Sequence, residues 1–276
     1  MELETVKKLA FISCPFDLLV EEHLPVVLQE KVNLEIGLNG TILDRYKMPS
    51  FKKIARILEE NGLKCTIHAP FIDLSIGAID SLVRKATVER LMMAIDIAAV
   101  FEAKSMVFHT GFEPKHYYGQ QKEWLKNSYY TLELLLSHAR EKGLKLNLEN
   151  VFEYTPEIHQ ALFSKFGDPH LGFCLDLGHQ KVFSKTSMEQ WLEGVGTRIR
   201  QLHLHDNRGD WDDHLAVGTG EIDFDGVLAF LEEKKLTPLL TLETHKKEDV
   251  IPSLEGLGRL LDNHPKLLSG LLRSIS

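Results

Sequence analysis

The feature that most constrains this chain is a rhythm. Short β-rich runs alternate with longer helical patterns from one end to the other. The candidate strands are 9–13, 32–38, 63–68, 105–109, 144–149, 171–176, 199–205 and 238–243. Between them lie amphipathic stretches: 51–61, with Ile54, Ile57 and Leu58 on one face, then 81–101, 124–142 and 224–235. Asn61-Gly62 and Lys142-Gly143 supply helix-stop signals. Eight strands, each followed by a helix, specify a parallel α/β protein. A (β/α)8 barrel needs roughly 250 residues, and the chain has 276. Residues 1–276 therefore read as one TIM barrel domain. An open doubly wound sheet would carry a glycine-rich turn after its first strand. Ser13-Cys14-Pro15-Phe16-Asp17 stands there instead, and neither G-x-G-x-x-G nor a P-loop occurs. That argues against a nucleotide cofactor.

The histidines and carboxylates follow the same rhythm. Strand three ends in His68, strand four in His109, strand five in Glu149, and strand six in Asp176 with His179 three residues on. Strand seven carries His203, His205 and Asp206, the loop after it Asp212 and His214, and strand eight ends in Glu243. The C-terminal rim is where such barrels place their chemistry. Side chains alternate faces along a strand. Leu146, Leu148, Leu202, Leu204, Leu240 and Leu242 therefore suit the helix layer. The acids and imidazoles then point into the mouth, with Thr66, Asn147, Cys174, Gln201 and Thr241 one layer below. Each residue alone also reads as a strand-end cap or a satisfied core group. Together they would be costly at one mouth without a cation. Nitrogen and oxygen donors without thiolate suit Zn, Mn, Fe, Co or Mg.

Composition narrows the partners. A net charge of −8 argues against a protein whose main task is to grip nucleic acid. Three cysteines, Cys14, Cys65 and Cys174, form neither a disulfide framework nor a metal pair, which fits reduced thiols in the cytoplasm. The apolar stretch 9–20 is interrupted by Asp17 and reads as a first strand with its loop, not a signal peptide. No run of about 18 apolar residues predicts a membrane span. Homo-oligomerisation is compatible with all of this.

Taken in order, the motifs His68-Ala69-Pro70, Phe108-His109-Thr110-Gly111, Leu148-Glu149-Asn150, Cys174-Leu175-Asp176-Leu177-Gly178-His179, His203-Leu204-His205-Asp206-Asn207, Asp212-Asp213-His214, Gly218-Thr219-Gly220-Glu221-Ile222 and Leu242-Glu243-Thr244 resemble the xylose isomerase-like barrel superfamily. That group holds sugar-phosphate isomerases and epimerases and also endonuclease IV. The isomerase branch implies one metal on Glu149, Asp176, His203 and Glu243. There the two glutamates also serve as acid and base through a metal-stabilised enediolate, and His179 touches the substrate. The endonuclease IV branch implies up to three ions on His68, His109, Glu149, Asp176, His179, His203, Asp212, His214 and Glu243, and a phosphodiesterase reaction. All nine positions carry the matching residue type.

Departures separate the branches. His203-Leu204-His205-Asp206-Asn207-Arg208 stands where endonuclease IV usually has His-Leu-Asn-Asp-Ser-Lys. Asn33-Leu34-Glu35-Ile36-Gly37 resembles the isomerase branch. The expectation is therefore a metal-dependent sugar or sugar-phosphate isomerase or epimerase, with a small carbohydrate as partner and Arg208 and His205 as substrate contacts. A multinuclear phosphodiesterase comes second and a non-catalytic sugar-binding barrel third. Aromatics at Tyr117, Tyr118, Phe152, Tyr154 and Trp211 offer a cover for a small substrate or simple loop anchors. Phe71 reads as loop packing. His23, His138, His159, His170 and His264 read as surface or capping residues.

Overall fold

The computed structural model describes residues 1–275. Eight parallel strands close into a barrel in sequence order: β1 (Ala10–Pro15), β2 (Asn33–Gly37), β3 (Cys65–His68), β4 (Met106–His109), β5 (Leu146–Glu149), β6 (Leu171–Asp176), β7 (Ile199–Leu204) and β8 (Leu239–Leu242). Helices ring it, among them Met48–Glu60, Ser81–Val100, Gln121–Glu141 and Phe224–Lys234. No helix among the described residues is long and apolar enough to cross a membrane.

β3 and β5 begin two residues later than the apolar pattern predicts, for one shared reason. Leu63 N–H bonds back to Leu58 O, and Leu144 N–H to Ala139 O. The preceding Gly62 and Gly143 sit at φ +71° and +68°. These are helix-ending Schellman turns, whose first apolar residue closes the helix instead of opening the strand.

The pleat sorts the side chains as expected. Leu146, Leu148, Leu202 and Leu242 are fully buried outside the barrel wall, against the helix layer. Each such leucine contributes about 1.5–3 kcal/mol relative to exposure. Inside, the floor is polar. Gln201 joins Ser105, Asn147, Thr241 and Glu35, and Thr66 bonds to Glu35. Register then levels the donors above this floor. Glu149 pairs with His109 across β4–β5, and Asp176 with His203 across β6–β7. Cys14, Cys65 and Cys174 are all free and buried.

Candidate metal centre

His203, at the penultimate position of β7, is the hub of an inner quartet. Its Nδ1 lies 3.1 Å from Glu243 Oε1, 3.2 Å from Glu149 Oε1 and 3.9 Å from Asp176 Oδ2. All four residues offer a donor atom within 4.8 Å of one another. Glu149 also turns outward. Its second oxygen, Oε2, lies 3.1 Å from His68 Nε2 and 3.2 Å from His109 Nε2, so this carboxylate joins two donor groups. A third group gathers round Asp212. His214 Nε2 and His179 Nε2 lie 3.2 and 3.3 Å from its Oδ2, and His205 Nε2 lies 3.8 Å from its Oδ1.

The ring orientations fit a cation. His68 Nδ1 lies 3.0 Å from Ala69 O, His179 Nδ1 3.0 Å from Asn150 O, and His214 Nδ1 3.0 Å from Glu243 O. A backbone carbonyl accepts only from N–H, so Nδ1 carries the proton and the Nε2 lone pair is left for a ligand bond. Asp212 Oδ1 is buried without a hydrogen-bond partner. An unpartnered carboxylate oxygen among imidazoles costs free energy that a divalent ion would recover. The donor set, histidine and carboxylate without thiolate, suits Zn or a harder divalent ion.

Electrostatics carry the same message. Burial disfavours the Glu149 anion, yet His203 and His109 outweigh it and hold its carboxyl well below the usual range. Burial likewise works against His68 and His214 as cations, but Glu149 and Asp212 respectively push these rings up to about 9. Burial instead holds His109 below its ordinary value. Without a metal, protons on the imidazoles compensate the carboxylates. Those are the protons a metal must displace.

The loop that carries Asp212 and His214 is built on Asp206. This carboxylate is almost fully buried and accepts from the backbone N–H of Asn207, Gly218, Gly220 and Ile222 at 2.8–3.1 Å. A Cβ on Gly220 would stand 2.4 Å from Asp206 Oδ1, which accounts for the glycine in Gly218-Thr219-Gly220. His214 itself sits at φ +49°, a left-handed setting that costs an L-residue roughly 1–2 kcal/mol.

The expected site residues divide as follows. All nine expected ligands come together at the mouth, in four groups, three of which share members while the one around Asp212 stands apart. His205 does not face open solvent. It is fully buried, with Nε2 3.2 Å from both Asp176 oxygens. Its ring fills the space beside Gly178, where a Cβ would stand 1.9 Å from Cε1. The structure thus turns the expected substrate contact His205 toward Asp176 and the donor group round Asp212. Arg208 is exposed on the strand-seven loop. His159 is not a surface residue. It is fully buried behind β5, packed on Phe173 and Trp191. Phe71 stacks on His109 at 4.4 Å, so its packing is against the site. His245 stacks on His214 at 3.7 Å. Two residues have roles that strand-end position does not announce. Asp206 was legible as an acid beside a ligand but not as a loop anchor. Glu35 was legible only as an acid inside an apolar strand.

A family described as xylose isomerase-like TIM barrel matches residues 34–263. The uncharacterized protein MJ1311 of Methanocaldococcus jannaschii is 30% identical over 236 residues, which is 83% of this chain and 80% of that one. A probable endonuclease 4 of Mycobacterium marinum is 25% identical over 223 residues, 74% of this chain and 83% of its own. Among solved structures, a Thermus thermophilus protein soaked with ZnCl2 superposes with a TM-score of 0.76 at 28% identity, covering 92% of this chain and 98% of that one. A D-tagatose 3-epimerase-like protein does so with a TM-score of 0.77 at 26% identity, covering 93% and 98%.

Proposed function

The chain belongs to the xylose isomerase-like TIM barrel family, and from that premise we propose that it is a divalent-metal-dependent sugar or sugar-phosphate epimerase or isomerase. One observation carries the reading. Glu149 and Glu243 flank a single imidazole nitrogen, His203 Nδ1, at 3.2 and 3.1 Å. That arrangement sets two carboxylates about one point where substrate oxygens would meet a cation. The epimerase-like protein at 26% identity supports the sugar assignment, and the ZnCl2-soaked one at 28% supports a divalent ion.

Glu149, Asp176, His203 and Glu243 would hold the ion. A divalent ion there would polarise a carbonyl and its neighbouring hydroxyl and so acidify the C–H between them. Glu243 is the more open of the two glutamates, its side chain 12% exposed against 1% for Glu149, and so takes the proton from the substrate carbon. Glu149, deeper and among four imidazoles, would deliver a different proton to the opposite face, one drawn from solvent, while Glu243 gives the proton it took back to solvent. His179, whose Nδ1 is anchored by Asn150 O, orients a substrate oxygen.

The test is turnover of ketoses and ketose phosphates in D2O by metal-loaded protein. The expected product carries solvent deuterium at one carbon. Glu149→Gln and Glu243→Gln are each expected to abolish that exchange, and exchange retained in either removes that residue from the proton path. A second reading, phosphodiester hydrolysis by a multinuclear centre, draws on the donor groups outside the quartet, at His68, His109 and around Asp212. More than one tightly held ion per chain, with a phosphodiester cleaved and no sugar exchange, would replace the first reading with the second.

A further inference from the structure

Beneath the quartet lies a carboxylate that the ligand set does not include. Glu35, in the middle of β2, is fully buried. Its Oε2 accepts from Thr66 Oγ1 at 2.8 Å, Gln201 Nε2 at 2.5 Å and Thr241 Oγ1 at 3.3 Å. Donors from three strands therefore hold that oxygen. Its other oxygen, Oε1, has no hydrogen bond and stands 2.9 Å from His203 Nε2, which also has none. On its far side the same ring presents Nδ1 to Glu149 and Glu243.

Burying a carboxylate costs several kcal/mol unless it is paired. A glutamine would fill the same space and satisfy Thr66 and Thr241 without that cost. The charge must answer to something else, and the one imidazole it faces is the hub of the quartet.

We propose that Glu35 is a positioning residue for His203: its Oε1 takes the Nε2–H, so that the Nδ1 lone pair points at the cation of the quartet. This rests on the metal reading given above. Turning the ring so that Nε2–H points at Oε1 would make the 2.9 Å contact a hydrogen bond. The carboxylate then fixes the tautomer, makes Nδ1 more basic and adds one negative charge beneath the ion. His68, His179 and His214 are held instead by neutral backbone carbonyls. Among these four rings, His203 alone is backed by a carboxylate from outside the ligand set; the acids near His179 Nδ1, Glu149 at 3.3 Å and Asp176 at 3.6 Å, are themselves quartet members. The quartet is thereby the tightest of the donor groups and the first to fill.

The experiment uses the full chain, stripped with chelator and titrated with Zn2+ or Mn2+ in competition with a chromophoric chelator. Glu35→Gln keeps the shape and an acceptor oxygen but removes the charge; Glu35→Leu removes both. Second-sphere losses at metal sites run ~10–100-fold in affinity. We expect the glutamine variant near the lower end at the tightest site and the leucine variant near the upper, with the weaker sites unmoved. A glutamine variant that melts lower but binds the first ion as tightly as wild type would show a packing role and overturn the inference. If neither variant folds, 15N NMR of the Zn-loaded wild type decides: protonated Nε2 with Nδ1 ligated at His203 supports the inference, and the reverse overturns it. A wild-type chain that binds no divalent ion overturns this inference together with the proposed function, whereas equal binding by wild type and the glutamine variant overturns this inference alone.

Discussion

The mouth obtains its donors in two different ways. The quartet comes from the ends of β5, β6, β7 and β8, and strand register brings it level: Asp176 stands opposite His203 because β6 and β7 pair there. Asp212 and His214 come from irregular backbone, steered by a single carboxylate, Asp206, beneath the loop. The first arrangement is held by the cooperative contacts of the whole barrel wall. The second depends on one residue and includes a histidine at φ +49°. Donors on the barrel wall are therefore robust and preorganised, while donors on the loop can be lost without losing the fold.

The sharpest way to break that contrast is to remove one donor of each kind. Asp176→Asn is expected to abolish tight binding of the first ion and to lower turnover by roughly 150- to 5000-fold, since breaking a buried charge cluster costs roughly 3–5 kcal/mol. His214→Ala should cost one weaker ion and leave sugar turnover within about tenfold. Metal analysis and steady-state kinetics on both variants check this. Equal damage from the two would erase the distinction between wall and loop and favour a multinuclear reaction.

A smaller effect follows from pH. His68 and His214 are held up to about 9 in the metal-free protein, burial opposing and the neighbouring carboxylates prevailing. Both rings are then protonated below about pH 9 and must lose that proton to bind metal. Affinity at their sites should fall as the pH drops below that value, about tenfold per unit for each proton displaced, and level off above it. Calorimetry in buffers of different ionisation enthalpy would count the protons released. Metal binding at neutral pH with no proton release would contradict the charge state described for these rings.

The smallest effect sharpens the comparison from the loop side. Asp206→Ala leaves four backbone N–H groups without their acceptor. The chain should lose about 2–4 kcal/mol of stability, read by denaturant melts. The ions held by Asp212 and His214 should be lost with it, while binding at the quartet stays within a few-fold of wild type. Unchanged stability would remove Asp206 from the role of loop anchor.

Much of this was legible in the order of residues alone. Glu149, Asp176, His203 and Glu243 were readable because a strand-end position and an alternating pleat both appear there. His68 and His109 were readable for the same reason. What stayed hidden depends on distance in space. His159 looks like a helix-surface histidine until the helix Glu157–Lys165 is packed behind β5, where the ring is fully buried. His205 shares its strand face with His203, but Gly178, 27 positions earlier, supplies the space its ring occupies. Neighbours in the chain carry no signal of that kind.

Glu35 marks the boundary most clearly. The residue order by itself determined a barrel and a rim of metal-type donors, because periodicity and strand-end position are local properties. Only the closed barrel decided which donors stand close enough to share an ion, since that depends on register between strands far apart in sequence. Only the closed barrel could bring β2 beneath β7 and set a buried carboxylate 2.9 Å behind His203. Such a contact spans 168 positions between Glu35 and His203, and no local pattern constrains it.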